Sequence, residues 1–406
     1  MRRGVAVRVS RTVIFLGLTS MFTDISSEMV AAILPIYLIY SLGLTPLQFG
    51  VIDGVQQGAA SLVRVVSGFT ADRFGRYKET AVLGYGLSAA CRVGLLVVGR
   101  SWALLGAIVF VDRTGKGIRT APRDALISLS SPPEQLGTAF GVHRALDTVG
   151  AVVGPLIAFG LLVMIPQGFH SIFFVSFCFA LIGLAILVLF VHNPAKTVDE
   201  EEKVDPPTMR SVAQLLAVPK FAAVIVAAAA LALATMSDGF VYLGLQKNLG
   251  FGIHDIPLLY VATSLVYMLL SVPVGYIADR IGFRRVFVLG YLLLLVVYGA
   301  LVVPGLGTAA SILVIVAFGT YYAATDGILA ALASTMLPAD LRATGLSLVT
   351  TATSLARLLA SVIFGALWMV IGVHSAVCVF AVGVVVSACF AAVVLRRYGE
   401  EATARA

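Results

Sequence analysis

One stretch of this chain occurs twice. GFTADRFGRYK occupies 68–78 and GYIADRIGFRR occupies 275–285, each between two apolar segments of membrane-spanning length. A short, basic, glycine-punctuated hairpin cannot sit in lipid, so both copies must be aqueous loops joining membrane helices. The recurrence makes the chain two related halves, an internal duplication of the kind found in secondary carriers.

Composition agrees with lipid as the main solvent. Of the 406 residues, 59% are hydrophobic and only 12% charged, against about a quarter charged in soluble domains. Basic residues gather at Arg2, Arg3, Arg8 and Arg11, in the two repeated loops, and at Arg396 and Arg397, while the turns 41–46, 166–170, 304–308 and 372–375 hold none. Positive residues favour the cytoplasm, which places both termini there. The net charge of +7 is therefore a topology signal and gives no reason to expect nucleic acid as a partner. Cys91, Cys178, Cys378 and Cys389 lie inside apolar runs without paired spacing and read as small core residues.

Apolar runs predict an all-α membrane protein of twelve transmembrane helices: 12–40, 46–71, 79–99, 102–130, 137–164, 169–192, 219–246, 254–278, 284–303, 308–336, 341–370 and 373–396. The one substantial polar insertion contains DEEEK at 199–203 and a Pro206–Pro207 pair. It divides the chain into an N-terminal six-helix bundle (1–192), a cytoplasmic linker (193–218) and a C-terminal six-helix bundle with a short tail (219–406). The halves align beyond the loop: Asp24 matches Asp238, Asp72 matches Asp279, and Asp124 matches Asp326. Six is an even number, so the two bundles are pseudo-symmetric about an axis along the membrane normal.

These motifs give the chain a resemblance to the major facilitator superfamily over nearly its whole length. The loop after segment 2 fits that family's G-x-x-x-D-R-x-G-R at Gly68, Asp72, Arg73, Gly75 and Arg76, with Tyr77 where a basic residue is usual. Segment 4 fits R-x-x-x-G-x-x-x-A at Arg113, Gly117 and Ala121. Segment 5 fits the start of the antiporter pattern G-x-x-x-G-P at Gly150, Gly154 and Pro155, then departs from it at Ala158 and Phe159. The resemblance implies alternating access, a helix 4 arginine near the helix 1 acid, and a gate at the repeated loop. Asp72 would meet the N-terminus of the eleventh segment and close the cytoplasmic side, with Arg73 and Arg76 on neighbouring acids or lipid phosphates. In the second copy Phe283 replaces the last arginine, which weakens Asp279 and Arg280 as gate residues.

Charges inside the membrane segments carry the chemistry. Asp24 lies roughly 20 Å along the first helix, close to mid-bilayer. Ser20, Asp24, Ser27 and Glu28 share one face. An uncompensated Asp at that depth costs about 2.5–3.5 kcal/mol on insertion scales, so such groups face the interior and find partners or protons. Asp24, Glu28 and, through the resemblance, Arg113 are the proton-coupling candidates. Arginine suits the pairing because it stays charged while its partner titrates. A permanently paired structural carboxylate is the alternative.

Segment 4 is the most charged. Asp112, Arg113, Lys116, Arg119, Thr120, Arg123 and Asp124 cover about half its circumference, which must face other helices or a water-filled cavity. Lys116, Arg119, Arg123 and Asp124 are candidates for substrate binding, or for neutralising the nearby acids. GKG at 115–117 is no phosphate loop, because it lies in a membrane helix with no strand before it. In segment 5, His143, Asp147, Gly150 and Gly154 form a stripe, Arg144 reaches Asp147, and the glycines permit close packing, expected against the other half. His143 reads as a hydrogen-bonded structural group or as a titrating one. The second half is poorer in charge, and Asp238, Tyr242 and Asp326 are its substrate-binding candidates.

The resulting expectation is a proton-gradient-driven exporter of a small organic solute or drug in the inner membrane, monomeric, with lipid, protons and a small molecule as partners. It would need no metal or cofactor. Transport of an organic anion or phosphate-bearing metabolite on the helix 4 cations is the alternative, and a receptor or channel the reading from another class. An enzyme is disfavoured: His143, His170, His192, His254 and His374 are scattered over different segments.

Overall fold

The computed structural model describes residues 10–74, 76–99, 101–132, 135–193, 215–249, 252–303, 308–337 and 342–403. Thirteen α-helices account for nearly all of them: α1 (Arg11–Ile36), α2 (Pro46–Phe74), α3 (Tyr77–Val97), α4 (Trp102–Leu129), α5 (Leu136–Met164), α6 (Phe169–Phe190), α7 (Pro219–Leu233), α8 (Asp238–Leu249), α9 (Ile256–Ile281), α10 (Phe283–Val302), α11 (Thr308–Ser334), α12 (Arg342–Ile371) and α13 (Val373–Thr403). Because α7 and α8 make one broken span, the segments number twelve. Ten are long and apolar enough to cross a membrane. The charged α4 is not among those ten.

Local chemistry sets the helix ends. Thr45 and Gln48 cap the start of α2 reciprocally: the Thr45 amide donates to Gln48 Oε1 (3.0 Å) and the Gln48 amide to Thr45 Oγ1 (3.3 Å). Pro46 and Pro219 occupy first helical positions, where a missing amide hydrogen costs nothing. Between α9 and α10 the chain turns at a single residue, Gly282, with φ +97°. Only glycine takes that conformation without strain, which is why the repeated loop carries a glycine there.

The segment expected as one helix over 219–246 is interrupted at 234–237. The Tyr298 hydroxyl of α10 fills the gap: it accepts from the Met236 amide (2.7 Å) and donates to the Ala234 carbonyl (3.1 Å). A buried tyrosine thus satisfies backbone groups that lipid could not. The break makes Asp238 the first residue of α8.

The chain forms two compact units, 1–37 with 59–199, and 38–58 with 200–406. The first half of α2 therefore packs within the second unit. In the first unit, α1 lies against α5 and α6, and α3 against α4 and α6. The α1–α5 crossing is backbone to backbone. A Cβ on Gly150 would stand 2.5 Å from the Met21 carbonyl oxygen, and one on Gly154 2.7 Å from that of Ile25. Those glycines were expected to pack against the other half. Their partner is α1 of their own unit, because they share a face with Asp147, which lies beside Asp24. In the second unit, α7 packs on α12 and α13, α10 on α11 and α13, and α9 on α11. Large apolar side chains such as Met164, Leu189 and Val370 remain exposed, a surface suited to lipid.

Candidate functional site

In the first unit, three helices bring their charges together beside α1. Asp112 of α4 takes two guanidinium groups, one on each oxygen: Arg92 Nη2 at 3.1 Å on Oδ1 and Arg113 Nη2 at 3.4 Å on Oδ2. Arg92 also donates to Ser27 Oγ of α1 at 3.2 Å. The expected pairing of Arg113 with Asp24 or Glu28 is not made as an ion pair within 4 Å among the described residues, although Arg113 is an electrostatic neighbour of Glu28. Arg113 is engaged by the residue before it, and the first-helix acid meets Arg119 instead. Arg119 lies about one and two-thirds turns further along α4.

That contact is loose. Arg119 Nη2 is 3.9 Å from Asp24 Oδ1, while the same guanidinium covers the Tyr85 ring at 4.5 Å and donates to Ser88 Oγ at 3.4 Å. Lys116 and Asp147 are the other electrostatic neighbours of Asp24. Lys116 is also the leading cationic neighbour of Glu28. Among the described residues neither Glu28 nor Lys116 enters an ion pair within 4 Å. Asp147 holds Arg144 through Oδ2 at 3.6 Å, and among the described residues its buried Oδ1 meets no hydrogen-bond donor. The glycines Gly150 and Gly154 bring α5 against this turn: a Cβ on either would also lie 3.1 Å from the Cβ of Asp24 or Glu28 respectively.

One turn earlier, Ser20 is the hub of a second cluster. It meets His143 Nε2 at 2.9 Å and Tyr85 OH at 3.2 Å, and accepts from Arg123 Nη1 at 3.3 Å. Arg123 donates through Nε and Nη2 to Asp124 Oδ1 at 3.0 and 2.8 Å. Arg123 and Asp124 thus neutralise each other, and His143 is buried and hydrogen-bonded.

The second unit holds fewer charges. Asp238, at the start of α8, accepts from the Tyr322 hydroxyl of α11. Tyr242 is buried one turn further on, its ring 4.2 Å from that of Tyr260. Asp326 of α11 pairs with Arg357 of α12 at 3.6 Å, and both border a cavity of about 430 Å3 between α10, α11 and α12. Asp53 of α2 was not singled out from the sequence. It is buried and accepts from Ser361 Oγ at 2.8 Å and Gln57 Nε2 at 3.3 Å. Its signal was available: a carboxylate in an apolar run.

Of the loop residues, Gly75 and the side chains at Gly68, Asp72 and Arg73 lie outside the described residues. Arg76 is exposed just before α3. In the second copy Asp279 is exposed, and the Arg280 guanidinium lies 4.2 Å from the centre of the Tyr276 ring on the same helix.

The family model described as Major Facilitator Superfamily matches residues 16–361 and 235–406. An uncharacterised MFS-type transporter of Methanocaldococcus jannaschii is 34% identical over 376 residues, 89% of each chain. A multidrug resistance protein of Salmonella paratyphi C is 29% identical over 148 residues, 36% of each chain. Among solved structures, a nucleoside transporter superposes with TM-score 0.80 at 12% identity, covering 95% of this chain and 100% of its own. A peptide transporter does so with TM-score 0.76 at 15% identity, covering 96% and 95%. At such identities the likeness is one of fold.

Proposed function

The chain belongs to the major facilitator superfamily, and from that premise we propose that it is a proton-coupled exporter of a small organic solute. It is a multi-pass membrane transporter, and no enzymatic role follows from its family. Its two six-helix halves, 1–192 and 219–406 joined by 193–218, would alternate access, with both termini on the cytoplasmic side of the inner membrane and the monomer as the working unit. The basic loops at 68–78 and 275–285 would hold the cytoplasmic side closed.

The observation that carries the proton reading is the loose hold on Asp24. Asp112 is clasped by two arginines on both oxygens, so its charge is fixed. Asp24 has one distant guanidinium at 3.9 Å, and Lys116, which makes no ion pair within 4 Å among the described residues, and a second carboxylate, Asp147, as its other charged neighbours. Glu28, one turn on, has no ion pair within 4 Å among the described residues. A proton arriving at Asp24 would release Arg119 and remove the repulsion from Asp147. Its departure would restore both. Arg119 keeps the Tyr85 ring and Ser88 Oγ as partners when Asp24 is neutral, so exchanging charge here costs less than it would at Asp112.

The test is transport into inverted vesicles carrying an imposed proton gradient. Asp24→Asn should abolish gradient-driven uptake while protein level and fold are retained. Uptake equal to the unsubstituted protein would refute the assignment.

The organic-anion reading rests on one specific observation, that Lys116 lacks an ion-pair partner within 4 Å among the described residues. If it is correct, Lys116→Gln should abolish solute binding measured without a gradient.

A further inference from the structure

The cavity of the second unit has a charge arrangement that selects a class of solute. Its two ionic side chains, Asp326 and Arg357, approach to 3.6 Å. Both reach the open space, with 46% of the aspartate side chain and 26% of the arginine side chain exposed. The pair is not enclosed. The remaining polar wall consists of Tyr291, Ser354 and three threonines, and the threonines are acceptors. Thr325, Thr350 and Thr353 each donate their hydroxyl hydrogen to a carbonyl of their own helix, at 2.8, 2.9 and 3.0 Å. They present only lone pairs to a ligand. Leu329, Ala330, Leu346 and Val349 supply an apolar side.

Charge balance then decides what fits. A solute carrying only an ammonium would take Asp326 and leave Arg357, in a membrane-spanning bundle, with only the more remote Asp238 as an acidic neighbour. A solute carrying only a carboxylate would take Arg357 and strand Asp326. Leaving one member of a desolvated ion pair alone is strongly unfavourable. A solute that brings both charges replaces one loose internal pair with two pairs, and leaves nothing unmatched. The threonine lone pairs add acceptors for the ammonium hydrogens. The volume, about 430 Å3, lies in the range of small-molecule sites.

We infer that this cavity, between α10, α11 and α12, binds a small zwitterion with an apolar body. Asp326 and the threonines receive its ammonium, and Arg357 its carboxylate. The inference rests on the transporter reading and names a substrate class for it.

Equilibrium binding by calorimetry on protein in lipid nanodiscs, with no proton gradient, tests it. The probes are leucine, 3-methylbutylamine and 4-methylpentanoate, the last two being leucine without its carboxylate and without its ammonium. Leucine should bind at least about tenfold tighter than either. Asp326→Asn should weaken leucine and turn the preference toward 4-methylpentanoate. Arg357→Gln should weaken leucine and turn it toward the amine. Loss of packing alone would not produce opposite preferences. If either variant fails to fold, Thr350→Val serves: it should weaken leucine and the amine several-fold and leave the carboxylate unchanged. No measurable leucine binding, equal binding of all three probes, or variants with unchanged preference would overturn the inference. Leucine binding without flux in vesicles would sink the carrier reading and leave the cavity assignment standing. Proton-driven flux of other solutes, with no leucine binding, would do the reverse.

Discussion

Arg113 and Asp112, adjacent in α4, face each other at 3.4 Å, and Arg92 of α3 holds the other oxygen of the same carboxylate at 3.1 Å. Two cations thus share one anion, all three largely buried. Asp112→Asn keeps the shape and removes the charge that both arginines need. Breaking a buried pair from one side costs about 3–5 kcal/mol. The expected result is a large fall in the thermal unfolding midpoint of the purified protein. Asp24→Asn should shift it far less, since its guanidinium is 3.9 Å away and has Tyr85 and Ser88 as other partners. Equal shifts would mean that the two carboxylates are held alike.

The glycines of α5 give a prediction with its own control. Gly154 faces the Ile25 carbonyl across the α1 crossing, whereas Gly160 on the same helix has nothing within 4 Å of where a Cβ would stand. Gly154→Val must push α1 and α5 apart and should cost about 1–3 kcal/mol. Gly160→Ala should gain up to about 1 kcal/mol from helix propensity. Thermal unfolding in one detergent checks both. A neutral Gly154→Val would show that the crossing yields readily, and the geometry argues against that.

Much of this was legible in the residues. Twelve segments follow from the lengths of the apolar runs, and the repeated loop required a glycine where Gly282 takes φ +97°. The break in the seventh segment was hidden. Ala-Thr-Met-Ser at 234–237 contains no glycine or proline, and what stabilises the interruption is Tyr298, on another helix. The same holds for Arg113. A helical wheel puts it on the charged side of α4, but only the position of Asp112 in space decides that its ion pair within 4 Å is made there. Periodicity names the face of a helix; it does not name the atom across from it.

That staple makes a third prediction. Tyr298→Phe keeps the ring packed and removes only the hydroxyl, leaving the Met236 amide and the Ala234 carbonyl without a partner. Unsatisfied buried polar groups cost about 1–3 kcal/mol each. The variant should unfold at lower temperature, and amide hydrogen exchange around 234–238 should accelerate ahead of the rest of α7 and α8. Unchanged exchange there would mean that another group, or water, caps the break.

Asp53 supports the last prediction. Its named partners, Ser361 Oγ at 2.8 Å and Gln57 Nε2 at 3.3 Å, are neutral donors, and no cation lies within 4 Å of it among the described residues. Asp238, at the start of α8, is an acidic electrostatic neighbour. Around it the helices meet closely: a Cβ on Gly50 or Gly54 would lie 2.5 or 2.7 Å from a backbone oxygen of α12. An ionised carboxylate gains little in such a place, so an isosteric amide should serve as well. Asp53→Asn is expected to leave the unfolding midpoint unchanged or raise it. Ser361→Ala, which removes the main donor and keeps the acid, should cost about 1–3 kcal/mol. The order of the two effects is the measurement that matters. A larger loss from Asp53→Asn than from Ser361→Ala would require a bound cation or an arginine that reaches the site.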